Sequence, residues 1–234
     1  SYSFSKKHFT EKFALGNLDG YVYENFDLQS IEDFPKLITD NPELKGLNVT
    51  IPYKEEIIPF LDELDETAKQ IGAVNTIKIS KNKSLKGYNS DVVGFEKSIK
   101  PLLKTHHQKA LILGTGGASK AVAFVLQKNN ISFQFVSRNP NGNHEISYEN
   151  LTQEIIQSHT IIVNCSPLGT SPNIDKFPDI PYQFLNKNHL LYDLIYNPAE
   201  TKFMLQGAKK GAAVQNGLAM LQLQAEKAWE IWNS

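Results

Sequence analysis

The stretch KALILGTGGASKAVAFVLQKNNISFQFVSRN, residues 109–139, decides the fold. Residues 109–113 form a short apolar run that ends in the turn Gly114-Thr-Gly-Gly-Ala-Ser119. A helix is predicted over about 117–128, with Ala121, Val122 and Val125 apolar, and a second strand over 131–136. Strand, glycine turn, helix and strand make the first βαβ unit of a dinucleotide-binding sheet. Glycines let the backbone approach a pyrophosphate, and the following helix aims its free N–H groups at it. The loop reads GxGxxS, because Ser119 stands in the third glycine position. A tight βα turn with no ligand is the structural alternative.

The end of the second strand bears on the cofactor. NAD sites carry an Asp or Glu roughly 20 residues past the glycines to hold the ribose 2′-OH. Here that position reads Val136-Ser137-Arg138-Asn139 and has no acid. All of the 24 basic residues except Arg138 are lysine. A planar guanidinium suits a phosphate better than a lysine point charge does. The sequence therefore predicts NADP(H) over NAD, with a solvated surface arginine as the alternative.

Working outward, further strands are predicted at 160–164 and 190–194, and a domain boundary near Pro101. The first hundred residues mix short helices and strands. Helices are expected over 5–13 and over 30–39, the latter capped by Ser30, with a third carrying Leu61 and Leu64. Strands are expected at 21–26, 46–50 and 73–79, the last closed by the turn at 81–84. Residues 216–232 read as an amphipathic helix with Asn216 as cap, and Leu218, Leu221, Ala225, Ala228, Trp229 and Trp232 on one side. Gln224 falls inside that apolar arc. Its amide is either satisfied by local backbone or turned to a polar ligand.

Composition removes several classes. The 234 residues balance 24 basic against 25 acidic side chains, net charge −1, which excludes a dedicated nucleic-acid surface. No apolar run approaches the roughly 20 residues of a membrane span, and no signal peptide is visible. Cys165 is the single cysteine, so no intrachain disulfide forms, and it is expected to be buried and inert. The six histidines show no metal-ligand spacing, so no metal is expected. A soluble protein in the reducing cytoplasm, with a small-molecule substrate and no membrane or nucleic-acid partner, is the expectation.

The remaining motifs resemble one family, shikimate dehydrogenase. They are Ser3-Phe-Ser5, Asn48-Val-Thr-Ile-Pro-Tyr-Lys54, Gly72-Ala-Val-Asn-Thr76 and Asn89-Ser-Asp91-Val-Val-Gly94. The Gly114–Ser119 loop, Asn164-Cys-Ser-Pro-Leu-Gly169, Asp193-Leu-Ile-Tyr196-Asn-Pro198 and Gly217-Leu-Ala-Met-Leu-Gln-Leu-Gln224 continue the series in the family's order. The resemblance implies Lys54 as catalytic acid/base and Asp91, in a motif that usually reads Asn-Thr-Asp, as its partner. It implies that Ser3, Ser5, Thr50, Asn75, Asp91, Tyr196 and Gln224 hold substrate hydroxyls and carboxylate. It places Gly114, Thr115, Gly116, Gly117, Ala118, Ser137, Arg138, Asn139 and Gly217 along the cofactor. Read alone, Lys54 after a proline is more often a solvated helix-start lysine, Asp91 reads equally as a helix cap, Ser3 and Ser5 as fraying terminus, and Tyr196 as a core aromatic.

The residue chemistry suits that substrate. A ring with three hydroxyls and a carboxylate needs several short neutral donors and acceptors, which Ser, Thr, Asn, Tyr and Gln supply. Hydride transfer to a ketone leaves an alkoxide that a placed cation stabilises. A lysine of ordinary pKa near 10.4 needs about 4 kcal/mol of differential interaction to work as a base near neutrality. Burial lowers its pKa and a neighbouring carboxylate raises it, so Asp91 is expected chiefly to orient Lys54 and bond a substrate hydroxyl.

The architecture expected is α/β. An N-terminal substrate domain, residues 1–100 with 215–234, and a Rossmann domain, residues 101–214, would flank a cleft. The activity implied is reversible NADPH-dependent reduction of 3-dehydroshikimate to shikimate in aromatic amino-acid biosynthesis, by a monomer or homodimer. A quinate/shikimate dehydrogenase using NAD and a non-catalytic NADP-binding sensor are the alternatives.

Overall fold

Short apolar runs separated by helices build two sheets in a computed structural model that describes residues 4–142 and 144–234. Ser3, one of the expected substrate contacts, lies outside the described residues. The first sheet holds β1 (Gly46–Asn48), β2 (Glu63–Leu64), β3 (Thr76–Ile79) and β4 (Leu85–Tyr88) in the order β1-β3-β4-β2. β1 and β4 run antiparallel to β3, and β2 runs parallel to β4. The β3–β4 turn falls at the predicted 81–84 segment and puts Lys83 at φ +68°. Helices α1 (Phe4–Leu15), α2 (Phe34–Asp40) and α3 (Glu66–Ile71) accompany this sheet. Its core is Phe34, Ile57, Ala68, Val74 and Ile77.

Two expected elements do not form. Residues 21–26 are not a strand. Tyr21 and Tyr23 alternate as strand residues do, but their rings pack on aromatic side chains, Tyr23 stacked 4.9 Å from Phe9 and Tyr21 5.5 Å from Trp229. Packing between rings, with no backbone ladder, satisfies the period-two pattern. Nor do Leu61 and Leu64 ride a helix. Pro59 limits the preceding segment to one 3₁₀ turn, Ile58–Phe60. Asp62 then pairs with β4, its N–H donating to Leu85 O at 3.0 Å and its carboxylate accepting from Leu85 N at 2.7 Å. The helix starts later, at Glu66, where Asp65 Oδ1 accepts from Ala68 N at 2.9 Å as an N-cap. The 30–39 segment splits into a 3₁₀ turn, Ile31–Asp33, with Ser30 accepting from Glu32 N, and then α2.

The chain leaves the first sheet through α4 (Asp91–Ile99) and enters β5 (Lys109–Leu113), α5 (Gly117–Lys128) and β6 (Ser132–Ser137), the βαβ unit read from sequence. β7 (Glu145–Ser147), α6 (Gln153–Ser158), β8 (Ile161–Asn164), β9 (Leu190–Asp193), α7 (Lys202–Ala208), β10 (Ala213–Gln215) and α8 (Leu218–Asn233) complete the molecule. The six strands are all parallel, in the order β10-β9-β8-β5-β6-β7. After β7 the chain crosses back to β8 beside β5, so the strand order reverses there. Ligands of such sheets bind at that reversal, outside the carboxyl ends of the strands. Leu113 is in register with Val136 and Asn164, and Asn164 with Asp193, so those ends lie level.

A parallel sheet covered on both faces needs strands that are apolar throughout. β8 and β9 are buried at every position, and β5 after its first residue. Ala110, Ile112, Val163 and Tyr192 face a layer containing Val92 and Phe95 of α4, Val122 and Val125 of α5 and Met220 of α8. The alternate residues Leu111, Leu113, Ile162 and Leu191 face Ile156 of α6 and Phe203 and Met204 of α7. α8 lies against α4 because Gly94 has no side chain: a Cβ there would stand 2.6 Å from Met220 O. Trp232 Nε1 donates to Ile77 O of the first sheet at 3.0 Å. Asn216 Oδ1 accepts from Leu218 N at 3.2 Å, one residue before the N-cap position at Gly217.

Candidate active site

Lys54 lies in the turns that follow β1, and Asp91 is the first residue of α4. Lys54 Nζ donates to Asp91 Oδ2 at 2.6 Å, with the side chains only 13% and 9% exposed. The Lys54 backbone is held as well, its carbonyl accepting from Val74 N at 2.7 Å. Both single-residue alternatives are thereby set aside: the lysine is not solvated, and the carboxylate is committed to it and not to a cap. Burying two charges is tolerable only as a bonded pair, and removing one partner of such a pair costs about 3–5 kcal/mol.

A buried polar cluster adjoins this pair. Asn75 Oδ1 accepts from Ser90 N at 2.7 Å and from Thr76 Oγ1 at 3.0 Å, with Ser90 Oγ 3.2 Å away. Ser90 Oγ also lies 3.3 Å from Gln224 Oε1, whose amide nitrogen donates to Leu221 O at 2.9 Å. Gln224 thus has a local backbone partner and also meets the site. Asn75 and Gln224 come together through Ser90 and Thr76, which the sequence reading did not single out although both lie in its quoted motifs. Tyr196 is half-buried, its ring edge-on to Phe4 at 5.7 Å. Ser5 is engaged with Tyr23: burial pushes that phenol's pKa up, while a hydrogen bond from Ser5 opposes the shift. Thr50 is exposed, its carbonyl accepting from Tyr53 N at 2.9 Å. Among the described residues, neither Ser5 nor Thr50 is bonded to the Lys54–Asp91 pair.

The glycine loop has the features a dinucleotide phosphate needs. Gly114 turns the chain at φ +106°, against Cys165 of the neighbouring strand end. A Cβ at Gly116 would meet nothing within 4 Å, so the space above it is open. The N–H groups of Gly116, Gly117 and Ala118 have no acceptor among the described residues, and no side chain caps α5. Free N–H groups at a helix start are an anion site. Thr115 is exposed and Ala118 half-buried along the same loop. At the end of β6, Arg138 is exposed and has no ion pair among the described residues, and Ser137 Oγ accepts from Asn139 N at 3.2 Å. Gly217 packs on the segment after β9: its N–H donates to Ile195 O at 3.0 Å, and a Cβ there would stand 2.0 Å from Leu194 O.

The loop and the charged pair meet. A Cβ on Gly117 would stand 3.3 Å from Lys54 Cβ and 3.4 Å from its Cδ. One turn along, Lys120 Nζ pairs with Glu55 Oε2 at 2.6 Å, across the same boundary. This juxtaposition joins residues distant in sequence, and no spacing signal predicts it.

Behind the rim, Asp193 is fully buried at the end of β9. It accepts from Thr201 Oγ1 at 2.6 Å, Asn164 Nδ2 at 3.0 Å and Ile195 N at 3.1 Å. Desolvation nevertheless outweighs these bonds and pushes its pKa up to about 6. Cys165 beside it is half-buried and not buried as expected, and desolvation, with Asp193 adding to it, raises its thiol pKa and favours the protonated form. Among the described residues there is no cluster of side chains suited to a metal ion.

A parallel sheet with a phosphate-ready glycine loop, set against a buried lysine–carboxylate pair, defines a dinucleotide-dependent α/β oxidoreductase. Known proteins narrow the class. The family model "Shikimate dehydrogenase substrate binding domain" matches residues 1–77. The NADP(+) shikimate dehydrogenase of Methanosphaera stadtmanae is 38% identical over 249 residues, covering 99% of this chain and 87% of that one. The crystal structure of shikimate dehydrogenase from Aquifex aeolicus superposes with a TM-score of 0.88 at 34% identity, covering 99% of this chain and 88% of the other. That of the Thermus thermophilus enzyme, in complex with NADP(H) and shikimate, gives 0.83 at 29%, covering 98% and 88%. The chain belongs to the shikimate dehydrogenase family.

Proposed function

We propose that this chain catalyses the reversible NADPH-dependent reduction of 3-dehydroshikimate to shikimate, a step of aromatic amino-acid biosynthesis. The observation that carries the reading is the buried Lys54–Asp91 pair lying against Gly117 of the glycine loop. That arrangement brings an ammonium group beside the place where a dinucleotide would lie. Residues 1–100 with 215–234 would hold substrate, and residues 101–214 would hold NADP(H).

Bound NADPH supplies the hydride. Lys54 donates a hydrogen bond to the ketone oxygen, stabilises the negative charge that develops there and delivers the proton. Asp91 keeps the ammonium in place through Oδ2, which leaves Oδ1 to accept from a substrate hydroxyl. Asn75 and Gln224 bind the ring's oxygens, with Ser3, Ser5, Thr50 and Tyr196 completing the substrate side. The loop from Gly114 to Ala118 takes the pyrophosphate, Arg138 with Ser137 and Asn139 takes the 2′-phosphate, and Gly217 lines the far wall. The small-molecule substrate agrees with the polar side chains of Asn75, Ser90, Asp91 and Gln224 gathered there. A cytoplasmic setting, where NADPH and reducing conditions are found, goes with this reading, as does a monomer or homodimer. No helix among the described residues is long and apolar enough to cross a membrane.

The test is spectroscopic: purified protein with shikimate or quinate, and NADP or NAD, following reduced nicotinamide. Turnover with shikimate and NADP supports the reading. Turnover confined to quinate or NAD, or none at all, overturns it.

A further inference from the structure

We infer that Ser90 is a positioning residue that fixes which end of the Gln224 amide meets the substrate, an inference that rests on the function proposed for this site. Counting protons assigns the bonds. Ser90 Oγ has one proton and two amide oxygens within reach, Asn75 Oδ1 at 3.2 Å and Gln224 Oε1 at 3.3 Å. Asn75 Oδ1 already accepts from Ser90 N at 2.7 Å and Thr76 Oγ1 at 3.0 Å, which fills its two lone pairs. Giving the Ser90 proton to Gln224 is the arrangement that leaves neither buried amide oxygen without a donor, since Ser90 N already serves Asn75.

Both amides are polarised by this arrangement. Asn75 and Gln224, 3% and 7% exposed, have their oxygens bonded inward. Gln224 Nε2 gives one N–H to Leu221 O at 2.9 Å. Its second N–H, and both on Asn75 Nδ2, have no acceptor among the described residues. This wall of the site offers donors only. It recognises oxygens through their lone pairs, while Asp91 Oδ1 is the nearby acceptor for a hydroxyl proton. Without the Ser90 hydroxyl, the Gln224 oxygen loses its inward partner and the amide is free to turn an acceptor toward the substrate's oxygens. Gly94 serves the same end, because only a glycine lets α8 bring Gln224 this close: a Cβ there would stand 3.1 Å from Gln224 Cβ.

The test compares Ser90→Ala and Ser90→Thr with the unaltered enzyme, alone and in a Gln224→Ala background. Ser90→Ala is expected to raise the shikimate KM about tenfold, the scale of one buried hydrogen bond, with kcat within about twofold and the NADP KM unchanged. Ser90→Thr, which keeps the hydroxyl, restores the KM. In the Gln224→Ala background Ser90→Ala has no further effect. Calorimetric titration of shikimate reads the same loss without turnover. Protein that binds shikimate but does not turn it over therefore defeats the functional reading and leaves the Ser90 comparison to be read. An unchanged affinity in Ser90→Ala, an equal loss in Ser90→Thr, or a parallel rise in the NADP KM overturns the inference.

Discussion

Replacing Gly117 by alanine should make the protein more stable and the enzyme slower. Gly117 opens α5 without a left-handed backbone, so alanine fits its φ and ψ without strain. Glycine costs up to about 1 kcal/mol relative to alanine within a helix. For a chain of this size that is worth about 2–4 °C in Tm. The new methyl would stand 3.3 Å from Lys54 Cβ and 3.4 Å from its Cδ. Carbon atoms rest at about 3.8 Å, so Lys54 must yield by about 0.5 Å. Its ammonium is held to Asp91 at 2.6 Å, so the displacement reaches the proton donor. A misplacement of about 1 Å costs roughly a hundredfold in rate, so half of that predicts about a tenfold loss of kcat. Steady-state kinetics with saturating NADP, beside a thermal melt, read both quantities. A Gly117→Ala, Lys54→Ala pair should be non-additive, because alanine keeps only the Cβ of Lys54 and leaves the methyl no ammonium to displace. Undiminished kcat, or the same tenfold loss in the Lys54→Ala background, would refute the crowding of Lys54 as the cause.

Lys54→Ala should lower kcat by about 10²–10⁴, and leaves Asp91 buried alone, so its Tm should fall as well; unaltered turnover would remove Lys54 from the chemistry. Arg138→Ala should reduce kcat/KM for NADP by about 10- to 100-fold, the worth of a charge-assisted bond, and leave the value for NAD within about twofold; an equal fall for both cofactors would show a structural role. Asp193 gives a stability prediction with a definite sign. Its pKa is about 6 in the fold against an ordinary 3.8, so its contribution is present below the ordinary value and lost as pH rises through 6. A gap of about two units corresponds to about 3 kcal/mol. Urea melts of the unaltered protein and of Asp193→Asn should therefore diverge between pH 4 and pH 7.5 by up to that amount in asparagine's favour, and parallel curves would contradict it.

The βαβ unit was legible because residues 109–137 obey local rules throughout. A short run apolar at every position can be buried on both faces, and a glycine turn followed by a helical period leaves few alternatives. The first sheet was harder. Its strands are two to four residues long, and Pro59 and Asp62 gave little notice that Leu64 would pair with β4. Tyr21 and Tyr23 show why alternation misleads: a cluster of rings satisfies it as well as a ladder does. Within the site, motif resemblance named Lys54 and Asp91 as partners, and the fold brings them to hydrogen-bonding distance. The roles of Ser90 and Thr76 were hidden because they depend on counting protons among atoms 14 residues apart. The meeting of Gly117 and Lys54 was hidden because it depends on how two sheets dock.

Helix α4 belongs to both halves of the molecule. Asp91 at its start bonds Lys54, while Phe95 lies edge-on to Tyr192 at 5.1 Å and Ser98 bonds the Tyr192 hydroxyl at 2.7 Å. Val92, Phe95 and Ile99 share one continuous apolar cluster with Ala110, Ile112 and Val163 of the second sheet. Neither sheet can therefore lose its order privately. A chain cut before β5 would leave that face bare, and a chain heated as a whole should melt in one cooperative step, with the lysine and its carboxylate separating at the same temperature at which the nucleotide sheet unfolds.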